Sequence, residues 1–428
     1  MNFNFTTLPT LIALAILVVV FWAISRKTIG DQVKLWLIGW VLVLVHFAAQ
    51  FAAPTTGTWG GLVATSISLE SLILAGIAFL ISVSAIASDR RRMIYLALAT
   101  AIPALAYTNG AIAEVHHQTY YYVWIVIGLL APLLLLWRYN QQGNVYAAST
   151  TLAASAASAV VAWGVARGMP ELGITVILAA LNFATAILYW KHHQRVTAGA
   201  LTAVSGFVLW GAVFPSAILL QIFVPWVKVE SEVWNIPKYL VAVGMILTLL
   251  EDQIERSTYL AYHDELTELP NRRLLEDRLN QALAQANRTG SRVGVFVLDL
   301  DHFKEVNDNF GHRVGDFALR EVVARLGSRI RVSDTLARSG GDEFTVISQV
   351  DNLEGAQVLL LALESALFEP IIIEGKQVRT GLSIGLALYP DDGSSPDQLR
   401  AAADRAMYAA KRASRHRVVG DAMPQSSF

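Results

Sequence analysis

The 428-residue sequence contains no cysteine. That excludes disulfides, thiolate metal sites and cysteine nucleophiles, and leaves oxygen and imidazole as the expected metal donors. Redox compartment is unreadable without cysteine. Charge is scarce as well. Asp, Glu, Lys and Arg make up 16% of the residues and hydrophobic residues 54%, a balance that excludes a disordered chain and is unusual for an ordinary soluble one. The scarcity is local: Met1–Leu250 holds 12 Lys and Arg against 7 Asp and Glu, whereas Glu251–Phe428 holds 21 against 27. With a net of +5 in the first part and −6 in the second, neither reads as a bulk nucleic-acid binder, and no nucleic-acid partner is expected. A basic stretch before the first apolar run and a small-x-small cleavage pattern after it are both missing, so that run is expected to be an uncleaved span.

Long apolar runs are what the first part has instead. A helix needs about 17–25 residues to cross a bilayer, and eight runs suit: Leu8–Ser25, Leu35–Ala53, Ile67–Ala87, Met93–Ile112, Tyr120–Trp137, Val145–Val165, Gly173–Trp190 and Ala198–Phe223. A ninth, near Val233–Leu250, is interrupted at its start by Pro237 and Lys238. Alternate connections carry nine basic residues (Arg26, Lys27, Lys34, Arg90, Arg91, Arg92, Arg138, Lys191 and Arg195), and the intervening ones carry Arg167 and Lys228. The positive-inside rule then puts the N-terminus outside. Nine spans deliver Glu251 onward to the cytoplasm; eight would export it.

Ionisable groups inside spans are costly and so informative. His46, Glu70, Glu114, His116 and His117 fall toward the outer ends of their helices in this topology. Either they line one sensor pocket for a metal, haem or small ligand, or they are headgroup-facing loop residues and local pairs. Beyond the last run, Leu247, Leu250, Ile254, Ser257 and Ala261 keep a 3-4-3-4 spacing. This predicts about two heptads of helix continuing out of the last span, either to pair with a second copy or to pack on the following domain.

From there the periodicity changes. Val293–Leu300 reads as a buried central strand, Gly315–Arg331 as a helix, Thr335–Arg338 and Phe344–Ser348 as a hairpin, and Val378–Tyr389 as another strand. Ser395 and Pro396 open a helix through Lys411. Interleaved strands and helices predict one α/β-type domain. Acidic residues stand where strands end: Asp299 and Asp301 close the central strand, and Asp342 and Glu343 sit at the hairpin tip. Carboxylates gathered there repel unless a cation relieves them. Oxygen-only ligation suits Mg²⁺ or Mn²⁺ with positions open for phosphate. Gly340 and Gly341 are expected to allow a backbone conformation and a close approach that side chains would block. Lys304, Lys411 and Arg415 are candidate phosphate counter-charges, and Asn307 with Asp316 is suited to a base edge.

Ala337-Arg338-Ser339-Gly340-Gly341-Asp342-Glu343-Phe344 resembles the signature of the GGDEF family of diguanylate cyclases. Further words of that family surround it in order: His263-Asp264-Glu265-Leu266-Thr267-Glu268-Leu269-Pro270-Asn271-Arg272, then Asp299 to Lys304, Asn307-Asp308, and Gly311 to Asp316. Ser383-Ile384-Gly385 and Asp404 to Lys411 close the series. The resemblance spans about Tyr262 to Val419. It implies a multispan α-helical membrane bundle followed by an α/β (α+β) nucleotide-cyclase-like domain with a central antiparallel sheet. The expected boundaries are 1–240 for the transmembrane sensor domain, 241–262 for a connecting helix, 263–420 for the cyclase domain and 421–428 for a tail.

What the resemblance implies chemically is condensation of two GTP into cyclic di-GMP and two pyrophosphates, by a homodimer in the bacterial inner membrane with a cytoplasmic catalytic domain. Asp299, the Leu300 carbonyl, Asp342 and Glu343 would hold Mg²⁺, next to Gly340 and Gly341. Asn307, Asp316 and His312 would read guanine. The backbone around His302 and Phe303, with Lys304, Lys411 and Arg415, would contact phosphates, and Asp342 is the family's proposed base. Arg331 and Asp334 form an RxxD resembling the family's inhibitory product site, which suits a guanine-rich ligand. Two positions depart from the pattern: His302 where an aromatic residue is common, and Ser414 where a glycine often precedes the phosphate-contacting arginine.

Overall fold

The computed structural model describes residues 5–26, 31–52, 58–84, 89–139, 144–193, 196–224, 226 and 231–420. Lys27, Arg195, Lys228 and the tail 421–428 lie outside them, as do the side chains of Arg138 and Arg415. Contacts divide the chain into two units, Met1–Asp252 and Gln253–Phe428.

The first unit is helical: α1 (Leu8–Ser25), α2 (Asp31–Ala52), α3 (Trp59–Ser82), α4 (Arg90–Ile112), α5 (Gln118–Tyr139), α6 (Asn144–Ala166), α7 (Glu171–His192), α8 (Ala198–Phe223) and the first two-thirds of α9 (Ser231–Tyr262). Among the described residues seven helices are long and apolar enough to cross a membrane, and the parts Gln118–Leu134 and Thr151–Ala166 are apolar but shorter. Short polar residues start several of them. Thr58 Oγ1 accepts from Gly61 N, Asp89 Oδ1 from Arg91 N and Arg92 N, and Thr197 Oγ1 from Ala200 N, which satisfies donors that the first turn leaves unpaired.

Rings fill the interior of this unit. Trp40 stacks on Phe21 at 6.0 Å and on Trp210 at 6.4 Å, and Phe79 meets Trp40 edge-on at 5.3 Å. Gly39 is what lets α2 approach α3 so closely, because a Cβ there would overlap the Phe79 ring. The ninth apolar run and the expected connecting helix are one 32-residue helix, α9. Pro237 interrupts only the hydrogen bonding near its start.

The second unit continues with α10 (Arg272–Thr289), β1 (Arg292–Asp301), α11 (Phe303–Phe310), α12 (His312–Gly327), β2 (Thr335–Gly340), β3 (Glu343–Val350), α13 (Leu353–Ser365), β4 (Ile371–Ile373), β5 (Lys376–Val378), β6 (Gly381–Tyr389) and α14 (Pro396–Gly420). Its main sheet has the order β2-β3-β1-β6, and every neighbouring pair is antiparallel. Strand alternation sorts the core into two layers. Val293, Val295 and Val297 face α10 and α14, while Phe296, Leu298 and Leu300 face α11, α12 and α13. That double burial explains why β1 reads as a near-continuous apolar run.

Candidate active site

Asp299 is the last buried acidic group of β1, at 8% exposed. It lies opposite Glu343 of β3 on one side and Ser383 of β6 on the other. The Lys411 ammonium, from α14, donates to Asp299 Oδ1. Gly385 sets that reach: a Cβ there would overlap the Ala403 carbonyl and the Met407 amide, so α14 lies directly on β6. Asp301 is turned to β6 instead, accepting from Ser383 Oγ at 2.7 Å, while its carbonyl accepts from Thr380 Oγ1 at 2.9 Å.

The hairpin β2–β3 is held to β1 at its tip, where Leu300 N donates to the Asp342 carbonyl at 3.2 Å. Glu343, Gly340 and Gly341 are exposed and Asp342 is half-buried. The expectation for the two glycines is only partly met. Neither has positive φ, and a Cβ on Gly341 would meet nothing within 4 Å. Their backbone is ordinary, and what they leave is open room above the strand ends.

Arg338, to which the sequence assigns no role of its own, organises this tip. Its Nε and Nη2 donate to Gly341 O at 3.0 and 2.6 Å, its Nη1 to Asp264 Oδ1 at 2.8 Å, and its backbone N to Pro270 O at 2.9 Å. The segment that opens the domain is thereby tied to the hairpin by a charge-assisted bond. Burial pushes the Asp264 carboxyl up, but hydrogen bonds from Thr267 and Arg338, with the Arg338 charge, outweigh it and hold the group below its ordinary value. A cleft of about 430 Å³ lined by Asp264, Arg272, Arg273, Arg338 and Ser339–Gly341 opens there.

Beyond β1 the chain turns sharply. His302 adopts φ 60°, ψ 20° ahead of α11, and its Nδ1 lies 2.7 Å from Glu305 Oε1. Such a left-handed conformation is uncommon for a residue with a side chain. Phe303 and Val306 enter the core, whereas Lys304 stays exposed. Asn307, half-buried, lies against Gly315, with Asp316 next in α12 and His312 exposed at its start. The sheet end, α11, the start of α12 and Lys411 therefore belong to one edge of the domain. Arg331 and Asp334 stand at the other end of β2, about 17 Å away along a strand. Asp334 Oδ2 accepts from Arg331 N at 2.8 Å, Asp334 Oδ1 from Ser348 Oγ at 2.9 Å, and Arg331 is exposed.

In the helical unit the five residues of the expected sensor pocket are distributed differently. His46 Nδ1 shares hydrogen bonds with Ser68 at 2.8 and 2.9 Å. Glu70 Oε1 accepts from Asn109 Nδ2 at 2.6 Å. Glu114, His116 and His117 are exposed in the connection between α4 and α5. Among the described residues no three His, Asp or Glu side chains gather closely enough to hold a metal ion.

This edge is a two-carboxylate arrangement. Asp299 and Glu343 are register partners with only oxygen to offer, which fits Mg²⁺, an ion usually bound by one or two carboxylates while phosphates and water complete its shell.

Residues 261–417 match the family described as diguanylate cyclase, GGDEF domain. The chain is 41% identical over 186 residues to the bifunctional diguanylate cyclase/cyclic di-GMP phosphodiesterase MucR of Pseudomonas aeruginosa, covering 40% of this chain and 27% of that protein. It is 41% identical over 172 residues to the diguanylate cyclase TpbB of the same organism, covering 39% of each. The response regulator PleD of Caulobacter vibrioides is 35% identical over 178 residues, 40% of this chain and 39% of that one. A solved GGDEF domain of TpbB is 41% identical, covering 35% of this chain and 88% of that one with a TM-score of 0.35. The alignments thus span about a quarter to two-fifths of these curated relatives' length.

Proposed function

Residues 261–417 belong to the GGDEF family, and from that premise we propose that the protein is a membrane-bound diguanylate cyclase that condenses two GTP into cyclic di-GMP and two pyrophosphates. The observation that carries the reading is the complete hairpin Gly340-Gly341-Asp342-Glu343 set opposite Asp299, with Lys411 beside it.

Asp299 and Glu343, with the Leu300 carbonyl and Asp342, would hold Mg²⁺ or Mn²⁺, which when bound neutralises charge building on the α-phosphoryl group and its leaving pyrophosphate. Lys411, Lys304 and Arg415 bind and orient phosphates. As nucleotide arrives, Lys411 would exchange Asp299 for a phosphate oxygen as its ion-pair partner, which frees the carboxylate. The turn at His302 presents the first backbone amides of α11 to the same anion. Asn307 and Asp316, with His312, read guanine through hydrogen bonds. Asp342 accepts the proton of the attacking 3′-hydroxyl.

One domain provides one nucleotide site and the product needs two nucleotides face to face, so the working unit is a homodimer with a two-fold axis between the sites. Among the described residues seven long apolar helices support a multi-pass membrane location, and the bias of basic residues between the apolar runs supports a cytoplasmic catalytic domain at the inner membrane. The unbroken α9, whose Leu250 and Ile254 are 52% and 66% exposed, supports a helix pair as the route by which a ligand sensed in the helical unit governs that dimer.

Purified protein with GTP and Mg²⁺ should release pyrophosphate and cyclic di-GMP in a 2:1 ratio. Glu343→Gln should lower turnover by about a thousandfold, several kcal/mol of transition-state stabilisation, at an unchanged melting temperature. Undiminished turnover would remove Glu343 from the site. Product feedback rests on Arg331, an exposed residue whose backbone N–H, with Ser348 Oγ, fixes the Asp334 carboxylate three positions on. In Arg331→Ala the progress curve should run on past the cyclic di-GMP concentration that stalls the parent, and an identical plateau would refute the feedback site.

A further inference from the structure

Three arginines, Arg272, Arg273 and Arg338, line the cleft of about 430 Å³ at the hairpin tip, against a single carboxylate, Asp264. That carboxylate is already engaged: its Oδ1 accepts from Arg338 Nη1 at 2.8 Å and from Thr267 N and Oγ1 at 2.9 and 2.6 Å. The cleft therefore keeps a surplus of two positive charges, and arginine is not deprotonated in proteins. Arg338 is fixed to the tip through Gly341 O. The unspent charge belongs to Arg272 and Arg273.

These two are consecutive at the start of α10, and Asn271 holds that start from both directions. Its N and Nδ2 donate to Tyr262 O and Ala261 O, each at 2.9 Å, and its Oδ1 accepts from Arg273 N at 3.0 Å and Leu274 N at 3.2 Å. Two amides of the first turn are thereby taken, so what the cleft offers is side-chain charge. Arg273 lies over the Tyr262 ring at 5.1 Å, and among the described residues neither guanidinium meets a hydrogen-bond acceptor. Each is a planar fork of donors whose spacing matches two oxygens of one phosphoryl group.

The cleft is separate from the proposed nucleotide site. Asp299, Glu343 and Lys411 are not in its lining; Glu343 faces another cavity, of about 460 Å³, with Arg400, Asp404 and Tyr408, and the two cavities share only Ser339. Gly341 leaves the space open, since a Cβ there would meet nothing within 4 Å.

We propose that this cleft binds a phosphate-chain anion, with pyrophosphate as its occupant. Arg272 and Arg273 supply the counter-charge and the paired donors, while Arg338 stays on the hairpin as the fixed side of the cleft. The choice of pyrophosphate rests on the cyclase reading, in which it is the coproduct. Held between the start of α10 and the hairpin tip, it restrains the tip and acts as a second brake on turnover.

The test is titration calorimetry of the full-length protein in non-ionic detergent micelles, with EDTA and without nucleotide. Pyrophosphate, orthophosphate and sulfate are compared at one ionic strength, because exposed charges are screened by salt. Pyrophosphate should bind at one per chain, and more tightly than sulfate. Equal affinity for orthophosphate would identify a single phosphoryl group as the recognised unit, and weaker affinity the chain. Arg272→Gln, an exposed substitution, should raise the half-saturating concentration about tenfold at an unchanged melting temperature, and Arg273→Gln should do the same. Lys411→Gln should bind as the parent does. A flat titration overturns the proposal, as does sulfate binding as tightly as pyrophosphate. So does binding that survives in both arginine variants or is lost in Lys411→Gln, which would put the anion in the nucleotide site. The titration holds neither GTP nor metal, so its failure leaves the Glu343→Gln test of the cyclase reading untouched.

Discussion

Of the largest fully buried aromatic side chains among the described residues, Trp36, Trp40, Tyr107, Tyr189, Phe21, Phe79 and Phe207 lie in the helical unit, and Phe296 and Phe344 lie in the sheet unit. The first unit buries rings against rings, and its helices meet where a glycine allows. The second buries aliphatic side chains on both faces of one strand and leaves its chemistry at the strand ends. Polar groups differ accordingly. In the bundle they are single, as with the interior Lys238 and His46 and the half-buried Glu70, each with its own partner. In the sheet unit they are shared along one edge, where register brings Asp299 beside Glu343 and α14 brings Lys411 to Asp299. An edge can exchange partners when a ligand arrives without disturbing the core, which suits turnover. An interior group changes partner only if its helix moves.

The largest expected effect tests whether edge and core are separable in the sheet unit. Phe344 follows Glu343 directly and is fully buried, so Phe344→Ala should cost about 3–5 kcal/mol of stability, read as an earlier denaturation midpoint. A small cost would mean that the hairpin is less firmly seated than its burial implies. Next comes Gly39→Ala, which should destabilise the bundle by about 1–3 kcal/mol by forcing α2 from the Phe79 ring; an unaltered melting temperature would show that α2 and α3 tolerate separation.

Asp264 gives a smaller, pH-dependent effect. Its carboxyl is held below the ordinary value in the folded chain, so the stabilisation is complete above about pH 4, where the unfolded group is ionised, and is lost as pH falls through the lower folded value. Asp264→Asn should flatten the acid limb of the stability profile; an unchanged limb would leave the Arg338 link without energetic weight. The smallest change in stability is expected at Gly341, where an added methyl meets nothing. Gly341→Ala should melt within about 0.5 kcal/mol of the parent while slowing turnover, and equal turnover would show that the open room is not used by nucleotide.

Much of the candidate site is readable along the chain because its parts are local. A four-residue hairpin tip, a strand-ending Asp and an Asn and Asp on consecutive helices keep their spacing whatever packs around them. Apolar runs of the right length likewise give the helices of the first unit, and Leu8–Ser25 and Ala198–Phe223 agree to the residue. The role of Arg338 is not readable in this way, because its partners Asp264 and Pro270 are about seventy positions earlier.

Composition and spacing alone determined that this chain has an apolar helical part and an acidic α/β part, and which carboxylates stand at strand ends. Tertiary structure alone decided that His46 meets Ser68, that Glu70 meets Asn109, and that Lys238, which looks in the sequence like an interruption of an apolar run, is buried against Phe47 and Trp210. The physical reason is rotation. Periodicity fixes which residues share a face of a helix, but the neighbour that face turns toward depends on the packing of every other helix in the bundle.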